Sequence, residues 1–350
     1  MALKPCRKAG TNVAGEESAT FYLMYTFRMT RMVVGVLRGG TSSEYPLSLK
    51  TGAAIMATLP EEKYETRDIL IDREGMWHLR GMPATPARAL AQVDVVLNAL
   101  HGGVGEDGTV QRMLDRAGVP YAGSRALSSG ISLNKIRARE VLRNAEIPMP
   151  RAVSFSLQNS MSTDDMAEAV FSSFGPPYLV KPPAEGSSRG LRYASTIVAL
   201  PDAIGDVLDE FGTALVEEYL RGAHVTIGVI EFFRDEPVYA LPPTHIDLPE
   251  GALFYDPQVE EHARAKHIVP SRFSHEIKAL IMELARKAHR ALRLAHFSDA
   301  DFIVTRRGPV LLEVNASPHL HEDAAFPRML EAVGSSLREF LEHAIRLARS

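Results

Sequence analysis

Residues 98–109 read Asn-Ala-Leu-His-Gly-Gly-Val-Gly-Glu-Asp-Gly-Thr and set a histidine and two acids on a glycine-rich turn directly behind an apolar run. That run, residues 93–100 (VDVVLNAL), is short, β-branched and almost continuously apolar, as a strand buried in a parallel sheet would be. Beyond the turn, Val110, Met113, Leu114 and Ala117 recur at helical spacing until Gly118 and Pro120 stop them. The pattern predicts strand, turn and helix, with His101 to Asp107 at the carboxyl end of the strand. Open α/β sheets bind ligands there, because the loops present backbone N–H groups and polar side chains together. An ordinary tight turn is the competing reading, since Gly and Asp dominate those as well.

The same unit occurs upstream. Residues 32–37 (MVVGVL) are an apolar strand, Arg38-Gly-Gly-Thr-Ser-Ser-Glu44 a glycine turn, and residues 47–59 have the composition of a helix. This suits anion or carboxylate capture at a helix N-terminus, where free N–H groups and the helix dipole favour negative charge. The G-x-G-x-x-G spacing of dinucleotide-binding turns is absent. Glu44 is a candidate ligand-binding acid, with a first-turn acid complementing the dipole as the plainer alternative.

A chain of 350 residues has room for two or three domains. Its 39 basic and 43 acidic side chains give a net charge of −4, which offers no electrostatic footprint for nucleic acid or an acidic membrane. The single cysteine, Cys6, cannot form an internal disulfide, so the cytoplasm is the expected compartment. Residues 1–31 differ from the rest and are expected to be a disordered tail, or translation wrongly extended upstream of Met29 or Met32. The apolar run at 21–27 lacks a following small-residue cleavage site, and no segment approaches the ~20 apolar residues of a membrane helix.

Further along, residues 131–145 read as a helix carrying Lys135, after a small, polar run at 122–130 that suggests a domain junction. Residues 178–181 (YLVK) are a strand ending in Lys181, followed by the flexible turn Gly186-Ser-Ser-Arg-Gly190. Small, bendable residues let backbone close over a phosphate chain while the lysines supply positive charge. Strands are expected at 215–220 and 225–232. The stripe from Ile277 to Leu292 marks a core-facing helix over 274–294, with His289 and His296 as packing or surface residues. Asp301-Phe-Ile-Val304 and Val310-Leu-Leu-Glu-Val-Asn315 form a hairpin pattern in which Glu313 and Asn315 share a face that Asp301 can reach. Two carboxylates and an amide oxygen are hard donors of the kind Mg²⁺ takes, alongside waters and substrate phosphates. A solvent-facing hairpin is the alternative.

Taken in order, GGTSSE (39–44), ALHGGVGEDGT (99–109), GVPYAGS (118–124), LNKIR (133–137), VKPPAEGSSRG (180–190), LVEEYL (215–220), LFYDP (253–257) and LLEVNASP (311–318) resemble the D-alanine:D-alanine ligases of the ATP-grasp superfamily over about nine tenths of the chain. The resemblance implies a fold of α/β and α+β parts: an N-terminal open parallel-sheet domain (32–125), a central ATP-grasp lobe (126–212) and a C-terminal lobe with the metal site (213–350). It implies a ligase that uses ATP and Mg²⁺, or Mn²⁺ in its place, to join two D-amino acids through an acyl phosphate for peptidoglycan precursor synthesis. Its partners would be these small molecules and a second copy in a homodimer, not nucleic acid or membrane. By position, Lys135 and Lys181 would hold phosphates, with Glu185, Gly186 and Ser188 in the loop over them and Glu217, Glu218, Tyr219 and Leu220 as the adenine hinge. Asp301, Glu313 and Asn315 would bind magnesium. Glu44 would orient the first substrate's ammonium, with His101 near its carboxylate and Ser187 beside Glu44.

Departures from the family pattern gather where the second substrate is chosen. The arginine two residues before the first metal ligand is replaced by Asp299, and the usual Lys-Tyr loop becomes Glu260-Glu261-His262. The Gly-Met-Thr after Ser317-Pro318 becomes His319-Leu-His321, the serine expected for the second carboxylate is Ala324, and a ribose-binding Glu is His224. Arg264, Lys266, Arg306 and Arg307 are candidates for the missing charge. The alternatives to D-alanine ligation are therefore a related ligase with another amine or a hydroxy acid such as D-lactate as acceptor, to which His262 or His267 would point, and an ATP-binding protein that has lost ligation.

Overall fold

The computed structural model describes residues 31–158, 160–248 and 266–350. The tail at 1–30, the LFYDP motif and the loop residues Glu260, Glu261, His262 and Arg264 lie outside the described residues.

The first sheet is built around β1 (Met32–Gly39), which runs parallel to β2 (Tyr64–Ile71) on one side and β5 (Val95–Asn98) on the other. β6 (Tyr121–Ala122) extends it in parallel, and β3 (Trp77–Leu79) and β4 (Met82–Pro83) finish the opposite edge antiparallel. The continuous apolarity of β1 and β5 follows from this central position, because alternate side chains enter different cores. Val34, Val36, Val95 and Leu97 face one, while Leu37, Val96 and Ile69 face the other with α2 (Pro86–Leu90) packed beside them. The first core is closed by α1 (Tyr45–Thr58) and, from the far end of the chain, by α9 (Ala325–Ala332) and α10 (Leu337–Ala348), which contribute Leu330, Phe340 and Ile345. α3 (Thr109–Ala117) follows the 98–109 turn and stops at Gly118 in the left-handed conformation, φ 67°.

The second sheet, β7–β10–β8–β9, is antiparallel and comprises Ala152–Ser156, Thr213–Glu218, Tyr178–Lys181 and Arg192–Ala194 in that order. α6 (Thr163–Ser173) and α7 (Leu200–Phe211) cover its back. The third runs β14 (Lys266–Ile268), β13 (Thr244–Asp247), β11 (Ala223–Phe233), β15 (Phe297–Thr305), β16 (Gly308–Asn315), with β12 (Glu236–Ala240) also paired to β11. α8 (His275–Ala291) packs on it through the predicted stripe, and His289 is buried there against Ser298, as a packing residue.

Two expectations are corrected. The single helix over 131–145 is two, α4 (Ala126–Leu133) and α5 (Lys135–Asn144). Asn134 breaks them apart at φ −85°, ψ 101°, and its side chain accepts from Arg137 N as an N-cap. Much of the small, polar run taken for a junction is thus helix. A division at 212/213 also cuts across a sheet, since β10 is hydrogen-bonded between β7 and β8. Similarly, Ala138 and Leu142 of α5 lie in the core of the third sheet. Among the described residues no helix is long and apolar enough to cross a membrane.

Candidate active site

A cavity of about 260 Å³ lies where the three sheets meet, and each contributes acids or lysines to its wall. Its first-sheet side is formed by the two glycine turns, which are tied together by Ser48 Oγ donating to Ala99 O at 2.8 Å and Ser42 Oγ donating to His101 O at 2.5 Å. The turn at 98–109 is locked by Asn98 and Gln111, whose amides both donate to Gly105 O, at 3.0 and 2.8 Å. Gly130 lets α4 approach this turn, since a Cβ there would lie 2.8 Å from Asp107 O.

Glu44 is held between Gly102 and Gly186: a Cβ on either would fall 2.5 or 2.7 Å from its Oε2. Ser187 Oγ donates to its other oxygen at 2.5 Å, which joins the first domain to the Gly/Ser loop. Burial, then the charge of Glu106, raises the Glu44 carboxyl to about 7. Glu106, raised to about 7 by burial, accepts from Gly102 N at 3.0 Å and also lines the cavity. It is the acid of the turn that the expected site omits. Its neighbour Asp107 is exposed and accepts from Thr109 N at the start of α3. His101 is fully enclosed, with Nδ1 3.7 Å from Glu106 Oε1. It is 1% exposed, its Nε2 is 2.9 Å from Thr51 Oγ1, and burial pushes it down to about 3, so it is neutral. His319 packs edge-on against it at 4.3 Å and lines the cavity.

On the second-sheet side, Lys181 and Glu217 share one face across β8 and β10 and pair at 2.6 Å. Glu217 also takes Arg139 at 3.1 Å and is 2% exposed. Lys135 opens α5 and donates to Glu185 O at 2.8 Å, reaching Glu313 Oε2 at 3.0 Å. In the loop above them, Ser187 and Ser188 adopt left-handed backbone, φ 50° and 55°, which costs about 1 kcal/mol each for non-glycine residues. Glu217 to Leu220 is the strip that leaves the second sheet and enters the third; Glu218 is anchored by Arg151 at 2.8 Å and Tyr219 stands edge-on to Tyr193.

In the third sheet, register sets Asp301 opposite Glu313 and Asp299 opposite Asn315. Burial, then Glu313, raises Asp301 to about 7. Burial works in the same sense on Glu313, but Lys135 and Lys181 outweigh it and hold that carboxyl below its usual range. Asn315 Nδ2 lies 3.3 Å from Asp301 Oδ2. Two opposed, half-buried carboxylates beside an amide suit a hard divalent cation. Among the described residues no three His, Cys, Asp or Glu side chains form a metal cage, so a cation here would draw further oxygens from its other ligands.

The residues that depart from the family pattern collect nearby. Asp299, His319, His321 and Ala324 all line the cavity, as does His224, lowered to about 4 by burial and then by His245. Arg306 and Arg307 are exposed at the hairpin turn, with Arg307 acting on Glu218, and Lys266 is exposed on β14.

Residues 141–346 match the model of the D-ala D-ala ligase C-terminus, and residues 80–124 that of the N-terminus. The D-alanine--D-alanine ligase of Desulforudis audaxviator is 32% identical over 90% of this chain and 98% of that protein. Among solved structures, the VanG D-Ala:D-Ser ligase from Enterococcus faecalis superposes with a TM-score of 0.79 at 26% identity, covering 91% of this chain and 99% of the other. D-alanine--D-alanine ligase from Bacillus anthracis complexed with ATP gives 0.75 at 25%, covering 91% and 97%. On these matches the chain belongs to the D-alanine--D-alanine ligase family of ATP-dependent ligases, with the ATP-grasp fold.

Proposed function

We infer that this enzyme joins two D-amino acids, D-alanine to D-alanine, with ATP cleaved to ADP and phosphate, and so supplies dipeptide for peptidoglycan precursors in the cytoplasm. The observation that carries this reading is Glu44, a buried carboxylate held against Gly102 and Gly186 in the same cavity as the paired lysines and the acid hairpin. An ammonium bound at Glu44 sets the first substrate's carboxylate within the reach of a nucleotide under the Gly/Ser loop.

Lys135 and Lys181 exchange their present acid partners for ATP phosphates, while Glu217 to Leu220 receives the adenine at the junction of the sheets. Asp301, Glu313 and Asn315 hold Mg²⁺, which when bound neutralises charge on the transferring phosphoryl group. The first carboxylate takes the γ-phosphoryl group. The second amine then attacks the acyl carbon, phosphate leaves with the bonding pair, and the amine gives up its proton. Closing Ser187 over Glu44 keeps out the water that would hydrolyse the acyl phosphate.

The test is ADP release with ATP, Mg²⁺ and D-alanine, with the product identified by mass. D-alanyl-D-alanine supports the reading; ATP binding with no D-alanine-dependent ADP release overturns it.

A further inference from the structure

Glu44, Ser48 and Thr51 follow one another at helical spacing and share one face of α1, with Glu44 at its N-cap and on the cavity wall. Ser48, one turn on, accepts from Gly39 N at 2.7 Å and donates to Ala99 O at 2.8 Å, which ties both glycine turns to the helix. Thr51, 1% exposed, makes a further tie. Among the described residues its hydroxyl has two partners, Leu320 N at 3.4 Å and His101 Nε2 at 2.9 Å. A backbone N–H can only donate, so Leu320 takes a lone pair of Oγ1 and the hydroxyl hydrogen is left for the ring nitrogen.

A neutral imidazole that accepts at Nε2 carries its proton on Nδ1. His101 is neutral, because burial and then His321 push it down to about 3. Its Nδ1 lies 3.7 Å from Glu106 Oε1, an oxygen that already accepts from Gly102 N at 3.0 Å. That separation is too long for a hydrogen bond, yet in a dry site an N–H there is attracted to the oxygen, and a bare nitrogen lone pair is repelled. The segment after the acid hairpin also encloses the ring: the Ser317 backbone acts on it, and His319 stands edge-on at 4.3 Å. Glu106 and His319 line the cavity, with His101 and Thr51 buried behind them.

We propose that Thr51 is a positioning residue of the ligase site, whose hydroxyl donates to His101 Nε2, fixes that ring as the Nδ1–H tautomer and so holds Glu106 and His319 in the cavity wall. This rests on the ligase reading for the substrate that the wall serves. The tautomer itself is independent of that reading.

Two measurements on the full chain test it. Long-range proton–nitrogen correlation with ¹⁵N-histidine labelling reads the tautomer, the His101 signals being those lost in His101→Gln; the expected result is a protonated Nδ1 and a bare Nε2, and a protonated Nε2 overturns the proposal. In Thr51→Val, which keeps the shape and removes the hydroxyl, the KM for D-alanine rises about tenfold or more while the KM for ATP moves less than about twofold. Thr51→Ser, which keeps the hydroxyl, stays within about threefold of the unmodified enzyme. Loss of folded enzyme alone would lower kcat and leave both KM values where they were. An unchanged D-alanine KM in Thr51→Val, or a Thr51→Ser as impaired as Thr51→Val, overturns the proposal; if Thr51→Val does not fold, the tautomer of the unmodified chain and Thr51→Ser decide it. Failure of the ligase reading is a different result: the unmodified enzyme then releases no ADP with D-alanine, and the His101 tautomer is still read on its own.

Discussion

Replacing Glu44 by Gln separates the energetic burden of this carboxylate on the empty protein from its service to a ligand. Glu44 is 8% exposed, and burial together with Glu106 raises its carboxyl from 4.5 to about 7. Below pH 4.5 the folded and unfolded chains both hold the proton, and the group contributes nothing to stability. Between 4.5 and about 7 the unfolded chain ionises while the folded one does not, so stability falls as pH rises, and above that window the full penalty stands. At about 1.4 kcal/mol per unit, the window amounts to roughly 3 kcal/mol. Gln retains an oxygen for the Ser187 hydroxyl at 2.5 Å and carries no charge. Glu44→Gln should therefore stabilise the ligand-free protein by about 2–3 kcal/mol near pH 8 and by almost nothing near pH 4, in urea titrations at the two pH values. The same change should lower kcat/KM for D-alanine about 100-fold or more, because an ammonium loses its charged acceptor. Equal stability at pH 8 would refute the buried-charge argument, and turnover within about tenfold of the parent would refute the ammonium role.

Three further outcomes follow from the same cavity. Lys181→Ala leaves Glu217 with Arg139 alone and removes a phosphate cation, so the Kd for ATP should rise about 100-fold or more; an unchanged Kd by calorimetry would remove Lys181 from the phosphate site. Gly186→Ala sets a Cβ 2.7 Å from Glu44 Oε2 and forces the loop away from Ser187's partner, so the KM for D-alanine should rise about tenfold or more, and an unchanged KM would show that the approach is not needed. Because binding an ammonium requires Glu44 ionised, with its carboxyl at about 7 in the empty site, D-alanine affinity should climb from pH 6 to 8 and binding at pH 6.5 should release protons. Titrations in two buffers of different ionisation enthalpy would detect that release, and a flat profile would contradict it.

Much of this could be read in the sequence because strand and helix periodicities are local. Tyr178–Lys181 and Thr109–Ala117 stand where the alternation, the glycine stop and the apolar spacing put them. What stayed hidden depends on contacts made across the fold. Glu106 and Asp107 are adjacent acids in one turn, and only packing against Gly102 and the cavity decides that the first is buried while the second is exposed and accepts from Thr109 N. His101 is the most eye-catching residue of that turn, yet Thr51 and His319, remote in sequence, enclose it. Asn134 breaks a helix whose apolar spacing runs straight through it, because a side-chain cap outweighs periodicity there. The division at 212/213 follows the order of the chain, whereas sheets are assembled by hydrogen bonding between distant strands.

The hairpin shows the same limit at the level of a single residue. Strict alternation along β16 would put Leu311 with Glu313 on one face and Leu312 with Val314 on the other. Instead Leu311 and Val314 are both in the core, and Leu312 and Glu313 both line the cavity. The register accounts for this: Asp301 pairs with Glu313 but Phe302 pairs with Leu311, so Leu312 is an extra residue in the ladder. A bulge of this kind re-aims side chains beside a site, and here it lets one short strand supply an apolar floor and a carboxylate in succession. It also fixes which acids meet. Slipping the pairing by one residue would turn Glu313 away from Asp301. The acid hairpin is thus specified by an irregularity that no periodic reading of Leu-Leu-Glu-Val-Asn contains, and the position of Asp299 opposite Asn315 is fixed by the same register.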